Sequence, residues 1–266
     1  LLPDNKFFLM SEFGGIKPYE EKDGEGSFAL LRINDGTKIT PQIKFGENVW
    51  GDPSCKRNPS DNFGPHGVDL IQRDDGLIQF GVVNHSPFES VEFFELTQDA
   101  NSWLMTWRGC VIAPEENYFN DLSIKRDGSF YVTHMYERDI TVNEWLSAAL
   151  FKYSTGYVLK WDKKNFSKVV GSDGGQPNGI GLDEDSELLY VNYNLGDELR
   201  VINLLNGESI GRYKINSPDN MILLDQSIWL TSLDHETIDV MVSCDIEISV
   251  TCSLPFSIHE IDLVSL

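Results

Sequence analysis

Four stretches of the chain fall on one template: His66-Gly-Val-Asp-Leu70, Asn120-Asp-Leu-Ser-Ile124, Asn178-Gly-Ile-Gly-Leu182 and Asn220-Met-Ile-Leu-Leu224. Each opens on a polar residue and places aliphatic side chains at +2 and +4, the alternation of a strand with one apolar face. Each then meets a turn, at Asp74-Asp75-Gly76, Asp127-Gly128, Asp185-Ser186 or Asp225-Gln226. A second apolar strand follows, over Leu77 to Val83, Phe130 to Thr133, Leu188 to Val191 and Ile228 to Thr231. The polar leaders are 54, 58 and 42 residues apart. Hairpins recurring at about 40–50 residues suit the blades of an all-β propeller, whereas a solenoid needs tighter and more even repeats.

In a propeller the innermost strand of each blade lines the central channel. The leaders are therefore expected to meet at one channel mouth, although they are far apart in sequence. Outside the hairpins, Thr141 to Phe151 sets Trp145, Leu146, Ala149 and Leu150 at helical spacing, so a helical insert is expected near 140–152. It reads either as a surface helix over an exposed core edge or as a lid at a substrate entrance.

The composition narrows the options. With 266 residues, 41% hydrophobic and 11% aromatic, the chain can bury a sizeable core, read as one domain over 1–266. Its net charge of −21 repels polyphosphate, and no basic stripe interrupts it, so nucleic acid is not an expected partner. An acidic surplus fits a cationic partner or a divalent metal. Cys55, Cys110, Cys244 and Cys252 show no zinc-ligand spacing and read as buried or unpaired thiols. Asn84-His85-Ser86 and Asn165-Phe166-Ser167 match the glycosylation pattern.

The leaders suggest a chemistry. Asn120, Asn178 and Asn220, with Asp219 beside the last, bring hard oxygen atoms from three repeats. Calcium takes about six to eight such oxygens, and no soft ligand is present to favour zinc or copper. His66 leads its own repeat and His85 follows the partner strand, so the two are expected to pair at the same mouth. A His held by another suits a general base for water beside a metal that polarises a carbonyl. Together these parts describe ester or lactone hydrolysis.

The runs Gly64-Pro-His-Gly-Val-Asp-Leu70, Val82-Val-Asn-His85, Phe119-Asn-Asp-Leu122, Pro177-Asn-Gly-Ile180 and Pro218-Asp-Asn220 fall in the order and spacing of the serum paraoxonase/arylesterase family, which the chain resembles from about Leu1 to about Asp234. The resemblance implies a six-bladed calcium propeller that hydrolyses lactones and aryl esters. It implies catalytic-calcium ligands at Asn120, Asn178, Asp219 and Asn220, and a structural calcium touched by Asp121 and the Val68 carbonyl. It further implies a His66–His85 dyad, with Phe88 and Trp145 lining the pocket. By the same resemblance the protein is a secreted or membrane-associated glycoprotein that meets a membrane or lipoprotein surface through segments outside this chain.

There are departures from the family pattern. A remaining Glu-Asp ligand pair aligns upstream of Leu1, and His134-Met135-Tyr136 replaces a more polar segment. Ser257 to Leu263 reads as a last strand, so the expected propeller is truncated in its first and last blades, with open edges that invite association. Two other readings stand beside the arylesterase one: a non-catalytic calcium-binding scaffold, and a sugar-lactone hydrolase resembling gluconolactonase.

Overall fold

A computed structural model describes residues 1–14, 25–99, 102–224, 226–235, 239 and 254–263. The expected positions Asp225, Cys244 and Cys252 lie outside the described residues. The first sheet holds β1 (Phe7–Glu12), β2 (Ser27–Arg32) and β3 (Lys38–Ile39) in that order. The second holds β4 (Gln42–Phe45), β5 (Pro65–Gln72), β6 (Ile78–Asn84), β7 (Ser90–Asp99) and β8 (Ser102–Ile112), in the order β4-β8-β7-β6-β5. Within it β4 joins β8 in parallel, while the other pairs are antiparallel.

The third sheet is an antiparallel meander of β9 (Asn117–Ile124), β10 (Phe130–Glu137), β11 (Tyr157–Trp161) and β12 (Phe166–Lys168), with α1 (Val142–Phe151) inserted after β10. The fourth is β13 (Pro177–Asp183), β14 (Leu188–Tyr193), β15 (Glu198–Asn203) and β16 (Ser209–Lys214). The fifth is β17 (Pro218–Leu224), β18 (Ser227–Leu233) and β19 (Phe256–Asp262).

The fold is thus an all-β propeller with five blades among the described residues and one short helix, against the six blades expected. The four hairpins of the repeat are β5/β6, β9/β10, β13/β14 and β17/β18. Their first strands pack in sequence, β5 on β9, β9 on β13 and β13 on β17. Among the described residues no comparable packing joins β17 to β1.

Period-2 alternation explains where the core lies. Neighbouring residues on a strand face opposite sides, so each middle sheet feeds two apolar layers. Phe94 enters the layer with Phe28, Leu30 and Phe80, while adjacent Phe93 enters the next with Phe119, Phe130 and Trp161. Leu189 and Tyr190 divide in the same way between the following two layers.

The helix starts one residue inside the expected segment. Thr141 is its N-cap, and a capping box closes with Glu144: the Thr141 hydroxyl accepts the Glu144 N–H, and the Glu144 carboxylate accepts the Thr141 N–H. Its buried side is Trp145 and Ala148, packed on Tyr118, Met135, Tyr136 and Leu195. Leu150, expected on the apolar face, is 76% exposed, because the helix meets the sheets only along that narrow stripe. No helix among the described residues is long and apolar enough to cross a membrane.

Two expectations for side chains are corrected. Cys55 and Cys110 form a disulfide, with Cα atoms 5.7 Å apart, rather than standing as thiols. The loop before Cys55 is laid against β8 by the Asp52 N–H, which donates to the Cys110 carbonyl at 2.8 Å, so strand packing joins cysteines that are distant in sequence. Asn84 is fully buried: its side-chain oxygen accepts from Gly64 N–H, and its amide donates to the Ser86 and Phe88 carbonyls. That leaves no room for a glycan, whereas Asn165 in the second sequon is exposed.

Candidate active site

Every repeat hairpin carries a register shift at its leader, with two residues opposite one. His66-Gly67 faces Val83, Asn120-Asp121 faces Thr133, Asn178-Gly179 faces Asn192, and Asp219-Asn220 faces Thr231. Bulges of this kind re-aim side chains at strand ends. They also correct the alignment of the last repeat. Asp219, not Asn220, occupies the slot of His66, Asn120 and Asn178, and Asn220 takes the second slot and is exposed. The extra residue breaks the period-2 phase, which is why a simple alternation placed Asn220 as leader.

In the first three repeats the second slot is where one blade meets the next. A Cβ on Gly67 would stand 2.3 Å from the Asn120 carbonyl oxygen, and one on Gly179 would stand 2.5 Å from that of Asp219. Asn178-Gly179 is therefore not a hairpin turn but a close approach between channel strands, which glycine alone permits. Asp121, in the same slot, uses its carboxylate to accept Leu122 N–H at 3.0 Å and, across the blade boundary, Ile180 N–H at 3.3 Å. The opposing residues tie the leaders down. The Thr133 hydroxyl donates to the Asn178 carbonyl at 2.8 Å, and the Asn192 amide donates to the Asp219 carbonyl.

These contacts join Asn120, Asp121, Asn178 and Asp219 into one cluster at one mouth, with Asn220 on its rim. Val68 lies two residues down β5 in regular pairing with Val82. Burial raises the Asp219 carboxyl above the usual range, and a hydrogen bond from Asn178 partly offsets it. Burial likewise raises Asp121, with the Asp69 and Asp219 carboxylates adding to the effect. Asp69, whose carboxylate accepts the Leu70 and Ile124 N–H groups, is pushed up by burial to about 6.

The amide oxygens of Asn120, Asn178 and Asn192 are buried without a hydrogen-bond partner. Asn120 spends its amide nitrogen on the Met135 sulfur at 2.9 Å, which turns the oxygen away from that contact. Buried oxygens beside uncompensated carboxylates are the donor set of a hard divalent cation, so the residues fit calcium. Among the described residues no three His, Cys, Asp or Glu side chains form a metal-sized group. Such a cation would depend on the asparagine oxygens.

His66 and His85 do pair, Nδ1 to Nε2, at 3.0 Å. Burial holds the half-buried His66 ring well below the ordinary histidine range, with His85 adding to the effect, and so keeps it in the neutral form a base requires. Phe13 stacks on His66 at 4.2 Å, and Tyr118 stacks on His85 at 4.5 Å. The Ser11 hydroxyl donates to the His66 carbonyl, so the end of β1 reaches the same mouth.

Sequence reasoning missed Glu89, a fully buried carboxylate 2.8 Å from His85 Nδ1. The only signal was a charged residue at the entrance to the apolar strand β7. It also missed Phe13 and the opposing residues Thr133 and Asn192. Of the two expected pocket residues, Phe88 packs against the layer between the first two sheets. Trp145 packs beneath α1 and donates its indole N–H to Gln176 at 3.0 Å.

No curated protein matches this chain. Among solved structures, a gluconolactonase of Xanthomonas campestris is 15% identical, with 77% of this chain and 62% of that one covered and a TM-score of 0.45. A luciferin-regenerating enzyme is 16% identical, covering 79% and 64%, with a TM-score of 0.41. A chain of a nidogen/laminin complex is 13% identical, covering 79% and 65%, with a TM-score of 0.48. The chain spans less than two thirds of the length of each. The part with a family match runs from Glu89 to Ser217; it includes Asn120, Asp121 and Asn178 and leaves out His66, His85, Asp219 and Asn220. Over those residues, 89–217, the propeller matches the family described as SMP-30/Gluconolactonase/LRE-like region.

Proposed function

We propose that this propeller is a calcium-dependent lactone hydrolase. The observation that carries the reading is the pair of unpartnered buried oxygens on Asn120 and Asn178, at the mouth that also holds the His66–His85 pair. Asn120, Asn178, Asp219 and Asn220 would hold the ion. Bound there, calcium supplies polarisation of the lactone carbonyl and stabilisation of its oxyanion. His66 takes a proton from water as the water oxygen bonds to the carbonyl carbon. The ring C–O bond then breaks, and His66 returns the proton to the leaving alkoxide. Phe13 and Tyr118, stacked on the two imidazoles, hold the rings in place and limit water on those faces.

The SMP-30/Gluconolactonase/LRE-like match favours lactones over aryl esters and brings sugar lactones into the substrate class. The His pair, outside that match, favours the simple γ- and δ-lactones and aryl acetates suggested by the serum paraoxonase/arylesterase resemblance. A panel of sugar lactones, simple lactones and aryl acetates, assayed with calcium and after EDTA, tests the reading. Lactone turnover that chelation abolishes and His66→Gln reduces is expected. Turnover that survives EDTA breaks the metal reading, and calcium binding by calorimetry without turnover on any substrate makes the protein a scaffold.

A further inference from the structure

Glu89 belongs to none of the ligand or dyad roles above, yet it is the most completely held carboxylate near the mouth. It lies in the short connection from β6 to β7 and is fully buried. One oxygen accepts the Phe119 N–H at 2.7 Å, next to Asn120. The other faces His85 Nδ1 at 2.8 Å and receives Arg138 Nη2 at 3.3 Å. The connection is itself fixed, because Asn84 and Arg57 both donate to the Ser86 carbonyl.

The hydrogen-bond roles then follow one after another. A carboxylate has only lone pairs to offer, so His85 Nδ1 must carry the proton. Of the two neutral tautomers of His85, this bond selects the one with its lone pair on Nε2, which faces His66 Nδ1 at 3.0 Å. His66 Nδ1 must donate in turn, and the His66 lone pair is left on Nε2.

Resting on the hydrolytic reading above, we propose that Glu89 is the positioning residue of the site: it sets the tautomers of both imidazoles in series and so presents His66 Nε2 as the base. Arg138 and the Phe119 N–H hold that carboxylate in one orientation. His134 provides an internal contrast. Its Nδ1 accepts the Tyr118 N–H at 3.2 Å, so that ring carries its proton on Nε2.

The test is imidazole nitrogen NMR on the 15N-labelled full chain, which distinguishes Nδ1–H from Nε2–H rings. Single His→Gln variants assign the signals. His66 and His85 are expected as Nδ1–H and His134 as Nε2–H. Glu89→Gln keeps the shape but offers His85 an amide donor, and it is expected to convert His85 to Nε2–H. With it, lactone kcat is expected to fall by roughly 10²-fold or more while KM moves by less than about threefold, as when an orienting carboxylate is lost from a catalytic triad. A wild-type His85 protonated on Nε2 overturns the proposal, and so does a Glu89→Gln protein with unchanged tautomers and rate. If Glu89→Gln does not fold, the wild-type spectrum still decides. If the wild-type protein turns over no lactone, the hydrolytic reading fails by itself, and the tautomers report on Glu89 separately.

Discussion

Strands β9 and β17 carry comparable leaders, yet they lie in unlike surroundings. All eight residues of β9 are buried, whereas along β17 buried and half-buried residues alternate with exposed Asn220, Ile222 and Leu224. The difference does not come from composition, since about half the residues of each strand carry large apolar side chains. It comes from neighbours: β9 packs between β5 and β13, while β17 packs on β13 and has no comparable contact with β1 among the described residues. A channel strand covered on both faces loses its alternation, and one covered on a single face keeps it. The outer face of the fifth sheet repeats the point, with Phe256 63% and Ile258 61% exposed on β19.

The largest effect should come from testing that contrast directly. Phe130 packs between Phe93, Trp161 and Phe166, and Phe130→Ala is expected to cost about 3–5 kcal/mol. Ile258→Ala on the uncovered face is expected to change stability by no more than about 0.5 kcal/mol. Urea unfolding measures both, and comparable losses at the two positions would break the contrast.

A second test stays on the covered side. Burial holds His134 at about 4 against the ordinary 6.5, so the folded state resists its protonation. Stability at pH 7 is unaffected by this group. Below about 6.5 the unfolded chain binds the proton more readily, and stability is lost as pH falls, by about 3 kcal/mol near pH 4. His134→Asn is expected to remove that part of the acid sensitivity. Parallel pH profiles for the two proteins in chemical denaturation would place the penalty elsewhere.

The smallest effect concerns α1. Thr141→Ala removes the hydroxyl that accepts the Glu144 N–H, while the Thr141 backbone N–H can still donate to the Glu144 carboxylate, and is expected to cost about 1 kcal/mol. Leu150→Ala, on the exposed side of the same helix, is expected to stay within about 0.5 kcal/mol. Thermal unfolding of the pair sharpens the distinction between a helix that covers Tyr118 and Tyr136 and one that merely rides on the surface.

The four hairpins were legible because alternation and turn chemistry are local: Asp127-Gly128 and its flanking aliphatic residues mark the third-sheet hairpin without help from the rest of the chain. The pairing of His66 with His85 was legible for the same reason, since each sits at the mouth end of one strand of the same hairpin. The cluster of Asn120, Asn178 and Asp219 could be anticipated from the repeat alone. Its register could not. The bulge that substitutes Asp219 for Asn220 in the leader slot shows only when the opposing residue, Thr231, is known.

What the chain by itself determined is therefore the all-β repeat, a helix near 140–152, and the polar leaders of its hairpins. These depend on period-2 and period-3.6 patterns that any short window contains. Tertiary structure alone decided the rest. It set a count of five blades rather than six among the described residues, and a Cys55–Cys110 disulfide that ties the loop between β4 and β5 to β8. It left the Asn120 and Asn178 oxygens without partners, and it placed Glu89 behind His85. Each of these is a statement about which groups lose water together, and that is fixed only when neighbouring sheets close over them.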